Sequence, residues 1–187
     1  VRDEFRDALV VHRLDMATSG LVLFARGIEV QRALSRAFAQ REVDKRYEAV
    51  VAGTLAADSG EIELPLAADW PNRPRQKVDH EHGKPSLTRW RVIARESGRT
   101  RLTLEPLTGR SHQLRVHLVA IGHPIVGDAK YGDFALNKSL ARGAAHFERM
   151  FLHARRLRFQ HPASGEVVEL ESPLPAECEA FLATLSS

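Results

Sequence analysis

The stretch His12-Arg13-Leu14-Asp15-Met16-Ala17-Thr18-Ser19-Gly20 runs directly into Leu21-Val22-Leu23-Phe24-Ala25. The polar, glycine-ended first part is typical of a turn, and the apolar run after it predicts a buried strand. An Asp just ahead of such a strand is well placed to be held rigidly at the end of a sheet. Asp15 is therefore a candidate nucleophile or general base, although an Asp that only caps a turn beside a surface arginine is commoner.

A carboxylate in a partly dry site needs a fixed cation nearby, because desolvation alone would raise its pKa. Arg115 is the candidate for this cation. It lies on a helix expected to follow Gly109-Arg110-Ser111 and to end near Ile121, before Gly122. We therefore expect Asp15 and Arg115 to be neighbours in space.

The rest of the chain predicts an α+β fold with a mixed, largely antiparallel sheet and flanking helices. Val30, Leu34 and Phe38 lie four apart, which favours an amphipathic helix over residues 29–40. The segment 70–74 should be a loop, because both of its prolines lack an N–H donor. Strands outnumber helices without a regular βαβ alternation. Further strands are expected over 45–52, 87–94 and 101–104, a hairpin over 151–159 and 166–170, and a closing helix over 174–185.

Composition indicates one ordinary domain over residues 1–187. Hydrophobic residues make up 43% and charged residues 27% of the chain, a globular balance that excludes a disordered chain. No apolar run approaches the ~20 residues that a spanning helix needs, so we expect no membrane association. The single cysteine, Cys178, excludes an intrachain disulfide, and with no signal-peptide pattern at the start it predicts a cytoplasmic protein.

The distribution of charge indicates a nucleic-acid partner. The net charge is only +3, yet the basic residues gather in three runs. Arg presents a planar fork that suits phosphates, and basic stripes attract nucleic acid by releasing counterions. Any single run can instead be a solvated face. The runs are Arg32/Arg36/Arg41/Lys45/Arg46, Arg73/Arg75/Lys77 and Arg155/Arg156/Arg158.

Read as a string, the segment from His12 to Gly20 resembles the signature of the RluA family of pseudouridine synthases. Several ordered motifs extend the resemblance over almost the whole chain, which makes coincidence improbable. These motifs are Lys45-Arg46-Tyr47, Gly109-Arg110-Ser111-His112-Gln113-Leu114-Arg115-Val116-His117, Gly122-His123-Pro124-Ile125-Val126-Gly127-Asp128, Leu152-His153-Ala154 and Pro162.

The resemblance implies an isomerase that converts uridine in RNA to pseudouridine without a metal or organic cofactor. It makes Asp15 the essential carboxylate and Arg115 the cation that pairs with it. Tyr47 matches the active-site tyrosine, which could stack on the base and exchange a proton; without the motif it would be an ordinary strand aromatic. Arg13 matches the residue that fills the space left by the extruded base.

The segments Asp69-Trp70-Pro71-Asn72-Arg73-Pro74-Arg75-Gln76-Lys77-Val78 and Gly83-Lys84-Pro85 resemble the dual-specificity branch of the family. That branch modifies a tRNA anticodon stem-loop and a 23S rRNA hairpin; a synthase with a single large-subunit rRNA target is the alternative. We expect a monomer. The residues expected to bind RNA, besides Arg13, are Trp70, Arg73, Arg75, Lys77, Arg110 and His112.

The family also carries a strand and an Asn-Lys-Pro-type loop upstream of this signature, and nothing here matches them. Residues 1–187 are thus expected to be a catalytic domain without that N-terminal piece.

Two rival hypotheses stay open: a non-catalytic RNA-binding module, and a metal-dependent nuclease using Asp15 with Asp128 or Glu105. Zinc is not expected, because the histidine spacing does not fit a helix-face site and no cysteine cluster accompanies it. His12, His112 and His117 are interpreted as hydrogen-bonded scaffolding.

Overall fold

A computed structural model describes residues 4–143 and 146–185 of the chain. Within these ranges the helices are α1 (Ile28–Gln40), α2 (Gln113–Ala120), α3 (Phe134–Arg142) and α4 (Ala176–Leu185). The strands are β1 (Ala8–Val10), β2 (Ser19–Gly20), β3 (Phe24–Arg26), β4 (Asp44–Ala52), β5 (Ser59–Glu63), β6 (Leu66–Ala68), β7 (Gln76–Val78), β8 (Leu87–Glu96), β9 (Arg99–Pro106), β10 (Leu152–Gln160) and β11 (Val167–Glu171).

One seven-stranded sheet forms the centre of the molecule, in the order β11-β10-β4-β9-β8-β5, with β2 added beside β10. All pairs along that order are antiparallel, and only the β2–β10 contact is parallel. Two small antiparallel pairs, β1–β3 and β6–β7, stand outside it. The predicted α+β class with a largely antiparallel sheet is confirmed.

The alternation of side chains along β4 explains why helices pack on both faces of the sheet. Ala49 and Val51 point into a core shared with Leu114 and Leu118 of α2. Val50 points the other way, into the core of α3 and α4. This period of two fixes which side chains of β4 face α2 and which face α3 and α4.

The predicted helices and the long strands match the structure to within a few residues, but the buried strand expected over 21–25 was wrong. Only β3 is extended there, it pairs with β1 alone, and its Phe24 is exposed. The reason lies at Gly20, whose φ is 107° and where a Cβ would come within 2.3 Å of the Ala154 carbonyl oxygen. The chain touches β10 at this glycine and then leaves the sheet.

Helix α3 was not predicted. Its N-terminus is capped by the carboxylate of Asp133, which accepts the N–H of Leu136 at 2.9 Å. In the described part of the chain, no helix is long and apolar enough to cross a membrane.

Candidate active site

A cleft of about 510 Å³ lies where the segment 12–18, the end of α1, the start of β4 and the segment 106–115 meet. It brings together six of the predicted site residues, which the sequence spreads over more than 100 positions. They are Arg13, Asp15, Tyr47, Arg110, His112 and Arg115.

Asp15 and Arg115 are in contact, as the electrostatic reasoning predicts. Arg115 Nη1 donates to Asp15 Oδ2 at 3.3 Å. The guanidinium is 4% exposed while the carboxylate remains 25% exposed, so Asp15 can still meet a substrate. The proximity is established; the catalytic assignment of the two residues stays a prediction.

Arg115 is itself held in place by Asp128, a partner that the sequence reasoning missed. Its Nε and Nη2 each donate to a different oxygen of Asp128 at 2.7 Å, a bidentate pair in the interior. Burial alone would raise the pKa of Asp128, but the hydrogen bonds and charge of Arg115, with the N–H of Lys130, outweigh it and lower that pKa. Likewise burial alone would lower the pKa of Arg115, and its carboxylate partners raise it instead.

His112 approaches Asp15 from the other side. Its Nε2 lies 3.9 Å from Asp15 Oδ1, and its Nδ1 lies 2.7 Å from the hydroxyl of Tyr131. Burial lowers the pKa of His112 despite the nearby Asp15 charge. The ring is therefore neutral at neutral pH, and the earlier expectation of hydrogen-bonded scaffolding fits these contacts.

The side-chain amide of Gln113 holds in place the backbone segment that carries Arg110 and His112. Its oxygen accepts from the Thr108 hydroxyl at 2.6 Å and from the Arg110 N–H at 3.1 Å. Its nitrogen donates to the Leu87 carbonyl and to the Thr88 hydroxyl, each at 3.0 Å. All four hydrogen-bonding positions of the amide are used, so the segment before α2 is anchored to β8 and to Thr108, which follows β9.

Tyr47 lies on β4 in the wall of the cleft. Burial, helped by the charge of Asp15, raises the pKa of Tyr47 to about 12. The phenol therefore keeps its proton at neutral pH and can stack on a base or donate a hydrogen bond, but it is not a ready general base.

His12 and His117 both make hydrogen bonds within the protein, which fits the interpretation as scaffolding. Burial, helped by the Lys45 charge, lowers the pKa of His12 to about 4. Its neutral Nε2 accepts the Leu23 N–H at 3.0 Å, and its ring stacks on Phe38. His117 is fully buried between Thr88 and the Leu64 carbonyl.

The four remaining predicted residues lie on the β6–β7 hairpin, outside the lining of the cleft. Trp70 is 67% exposed rather than part of the core, and the Arg73 guanidinium lies 3.3 Å from its ring centroid. Arg75 donates to the Lys130 carbonyl, and Lys77 pairs with Asp79 at 3.2 Å. The hairpin thus offers an exposed aromatic–cation pair outside the cleft lining.

The geometry disfavours the metal-dependent nuclease. Both oxygens of Asp128 are occupied by Arg115, and Glu105 pairs with Arg46 at 2.9 Å in a separate depression. Among residues 4–143 and 146–185, no group of three or more His, Cys, Asp or Glu residues could hold a metal ion.

A cation-lined cleft built around one clamped carboxylate suits chemistry on a polyanionic substrate such as RNA. The profile of the family described as RNA pseudouridylate synthase matches residues 3–120. The chain belongs to this family of RNA pseudouridine synthases, and it is therefore an isomerase.

Relatives and solved structures agree with this membership. The chain is 47% identical over 181 residues to the dual-specificity RNA pseudouridine synthase RluA of Yersinia pestis, covering 96% of this chain and 82% of the relative. The corresponding Escherichia coli K12 protein is 43% identical over 174 residues, with 92% and 76% covered. The structure of human RNA pseudouridylate synthase domain containing 1 superposes with a TM-score of 0.77 at 33% identity, covering 93% of this chain and 72% of that one.

Proposed function

We propose that Asp15 is the carboxylate on which the isomerisation of uridine depends, with Arg115 holding it in place. The contact between Arg115 Nη1 and Asp15 Oδ2, in a cleft open to solvent on the carboxylate side, carries this proposal. The reaction breaks the bond from ribose to the base nitrogen, turns the base and rejoins it through carbon. A carboxylate can serve by attack on the sugar or on the base, or by proton removal that drives elimination from the ribose.

The target uridine must leave its stack before Asp15 can reach it, at a cost of a few kcal/mol that is lowest in loops. Arg13 is exposed at the mouth of the cleft, two residues before Asp15. Its planar guanidinium can occupy the vacated space between neighbouring bases. Tyr47, which stays protonated, stacks against the detached uracil inside the cleft.

The RNA backbone follows the basic lining of the cleft towards the hairpin. Besides Arg13 and Arg110, the cleft is lined by Arg41 and Lys45. These positive side chains outnumber the single carboxylate of Asp15 in the cleft lining, so the cleft attracts phosphates. Trp70, stacked on Arg73 at the exposed tip of the hairpin, provides a platform for an unpaired base.

Replacing Arg73, Arg75 and Lys77 by Ala should weaken RNA binding and reduce its salt dependence. Each lost phosphate contact lowers the slope of log K against log salt by roughly 0.7–0.9. We expect most of the effect from Arg73, because Arg75 and Lys77 already have protein partners. Filter binding between low and moderate salt measures the slope.

The matched control is the triple Ala variant of three other partly exposed, ion-paired arginines outside the cleft, and it should keep the wild-type slope. An unchanged slope in the hairpin variant would show that the hairpin does not touch RNA. The control residues are Arg26, Arg89 and Arg149.

For the substrates, we propose a tRNA anticodon stem-loop and a 23S rRNA hairpin, and we propose that the enzyme acts as a cytoplasmic monomer. The support is the resemblance of the hairpin segment and the dual specificity named for the relatives. Tritium release from each RNA, with the whole protein, tests the pair of targets. Release from the ribosomal hairpin alone would indicate a single-target enzyme, and light scattering gives the oligomeric state.

A further inference from the structure

Tyr131 connects three parts of the site that are far apart in sequence. The N–H of Gln76, the first residue of β7, donates to the Tyr131 hydroxyl at 2.7 Å. The same hydroxyl lies 2.7 Å from Nδ1 of His112. The Tyr131 ring also faces the Arg115 guanidinium, whose centre lies 4.9 Å from the ring centroid.

The direction of these hydrogen bonds follows from the donors available. The backbone N–H of Gln76 can only donate, so the Tyr131 oxygen accepts from it. The single hydroxyl proton is then free for Nδ1 of His112. The arrangement in which Nδ1 accepts satisfies both the oxygen and the proton of the Tyr131 hydroxyl within the protein, whereas a donating Nδ1 would leave that proton to solvent.

An imidazole whose Nδ1 accepts must carry its proton on Nε2 when neutral. That Nε2 faces Asp15 Oδ1 at 3.9 Å. This is longer than a hydrogen bond, but catalytic contacts are often long before substrate binds and shorten in the complex. His112 thus presents an N–H to one carboxylate oxygen while Arg115 holds the other.

The backbone conformation of His112 supports this arrangement. His112 has φ 53°, in the left-handed region that non-glycine residues rarely occupy. The Gln113 amide fixes the segment before it. Strained residues of this kind persist where the surroundings over-determine them, and they cluster at functional sites.

We propose that Tyr131 is a positioning residue that locks His112 in the Nε2–H tautomer facing Asp15, and so ties the RNA-binding hairpin to the catalytic carboxylate. The proposal rests on the proposed role of Asp15. In this proposal, one chain of hydrogen bonds both docks β7 and orients the His112 ring.

The charges around His112 are compatible with a neutral ring. The groups that face it are Asp15 and Asp128, which favour protonation, and Arg115 and Lys130, which oppose it. Burial acts with the cations, and the pKa of His112 is lowered. Burial also raises the pKa of Tyr131, so the phenol keeps the proton that Nδ1 needs.

Nitrogen-15 NMR of His112 tests the proposed tautomer directly in the wild-type protein. We expect the Nε2–H tautomer at neutral pH. In Tyr131→Phe, which keeps the ring against Arg115 and removes only the hydroxyl, the pKa of His112 should rise by roughly half a unit to one unit, the equivalent of one net hydrogen bond. Ser164→Ala, which removes a hydroxyl 3.3 Å from Nδ1 of the half-buried His161, should leave the pKa of His112 unchanged.

A double-mutant cycle separates this role from plain hairpin docking. Tyr131→Phe should lower kcat about tenfold with KM within about twofold, because Arg75 still holds the hairpin to the Lys130 carbonyl and the main loss is the orientation of His112. In His112→Gln, an amide N–H replaces Nε2–H and needs no tautomer lock. In that background the Tyr131→Phe effect on kcat should shrink below about twofold.

Three results would each overturn the proposal: an Nδ1–H tautomer in the wild type, no change of the His112 pKa in Tyr131→Phe, or an equal loss of kcat in both backgrounds. The NMR readout needs no turnover. A wrong assignment of Asp15 would appear in the activity of Asp15 variants and would leave the tautomer result standing.

Discussion

Asp15→Asn should abolish pseudouridine formation while leaving RNA binding intact. The amide is isosteric but is neither a nucleophile nor a base, so we expect kcat to fall by at least ~10⁴-fold, about 5.5 kcal/mol of transition-state stabilisation. The fold should not change, because Arg115 keeps its bidentate partner Asp128. The dissociation constant for RNA should stay within about threefold, since one negative charge leaves a phosphate-binding cleft. Tritium release and filter binding measure the two quantities.

Asp7→Asn is the matched control, because Asp7 is a half-exposed carboxylate paired with Arg26 at 3.0 Å. It should retain full activity. Excess chelator should leave wild-type turnover and the RNA strands intact, which separates the reaction from metal-dependent cleavage. Turnover above about 1% of wild type in a folded Asp15→Asn protein would remove Asp15 from its proposed role.

The regular spacing of apolar residues predicted the helices and strands that form the framework of the fold. The helix over 29–40 and the strand over 45–52 each agree with the structure within one residue at either end, because their apolar spacing is repeated several times. The run 21–25 carries no period, and a short apolar run does not say which strand it will pair with. Its path is decided by the contact between Gly20 and β10, a partner more than 130 residues away.

The site was predictable where local chemistry or a motif identifies the residue. Asp15 and Arg115 could be paired because an isolated carboxylate in a dry cleft requires a cation. Asp128 was considered only as a metal ligand, since nothing in its spacing from Arg115 indicates a bidentate ion pair. Tyr131 carried no local signal at all, because its partner Gln76 lies 55 residues away and meets it only when the hairpin docks.

Asp128→Asn should destabilise the protein and inactivate it together. Arg115 and Asp128 are 4% and 1% exposed, so removing the charge of Asp128 leaves a buried guanidinium that is compensated by the longer, 3.3 Å contact with Asp15 alone. This costs about 3 kcal/mol of the free energy of unfolding, the lower end of the range for breaking a buried pair, or roughly 6–12 °C in Tm for a domain of this size. With its anchor gone, Arg115 no longer aims at Asp15, and kcat should fall by ~10²-fold or more.

The exposed pair of Arg149 and Glu177 gives the matched control, since Glu177 is 71% exposed. Glu177→Gln should change the free energy of unfolding by less than about 1 kcal/mol. Thermal unfolding monitored by circular dichroism compares the two variants with the wild type.

The pH dependence of the stability lost in Asp128→Asn identifies the cause of that loss. Because the pKa of Asp128 is lowered in the folded state, its ion pair stabilises the protein above the ordinary carboxylate pKa of about 4 and is lost as the pH falls through the folded value. Once Asp128 is protonated, the wild type also holds a neutral group at this position. The difference in stability between wild type and Asp128→Asn should therefore be constant from pH 7 to about pH 5 and shrink below about pH 4. A difference that stayed the same at acid pH would show that packing, and not the charge of Asp128, holds Arg115 against Asp15.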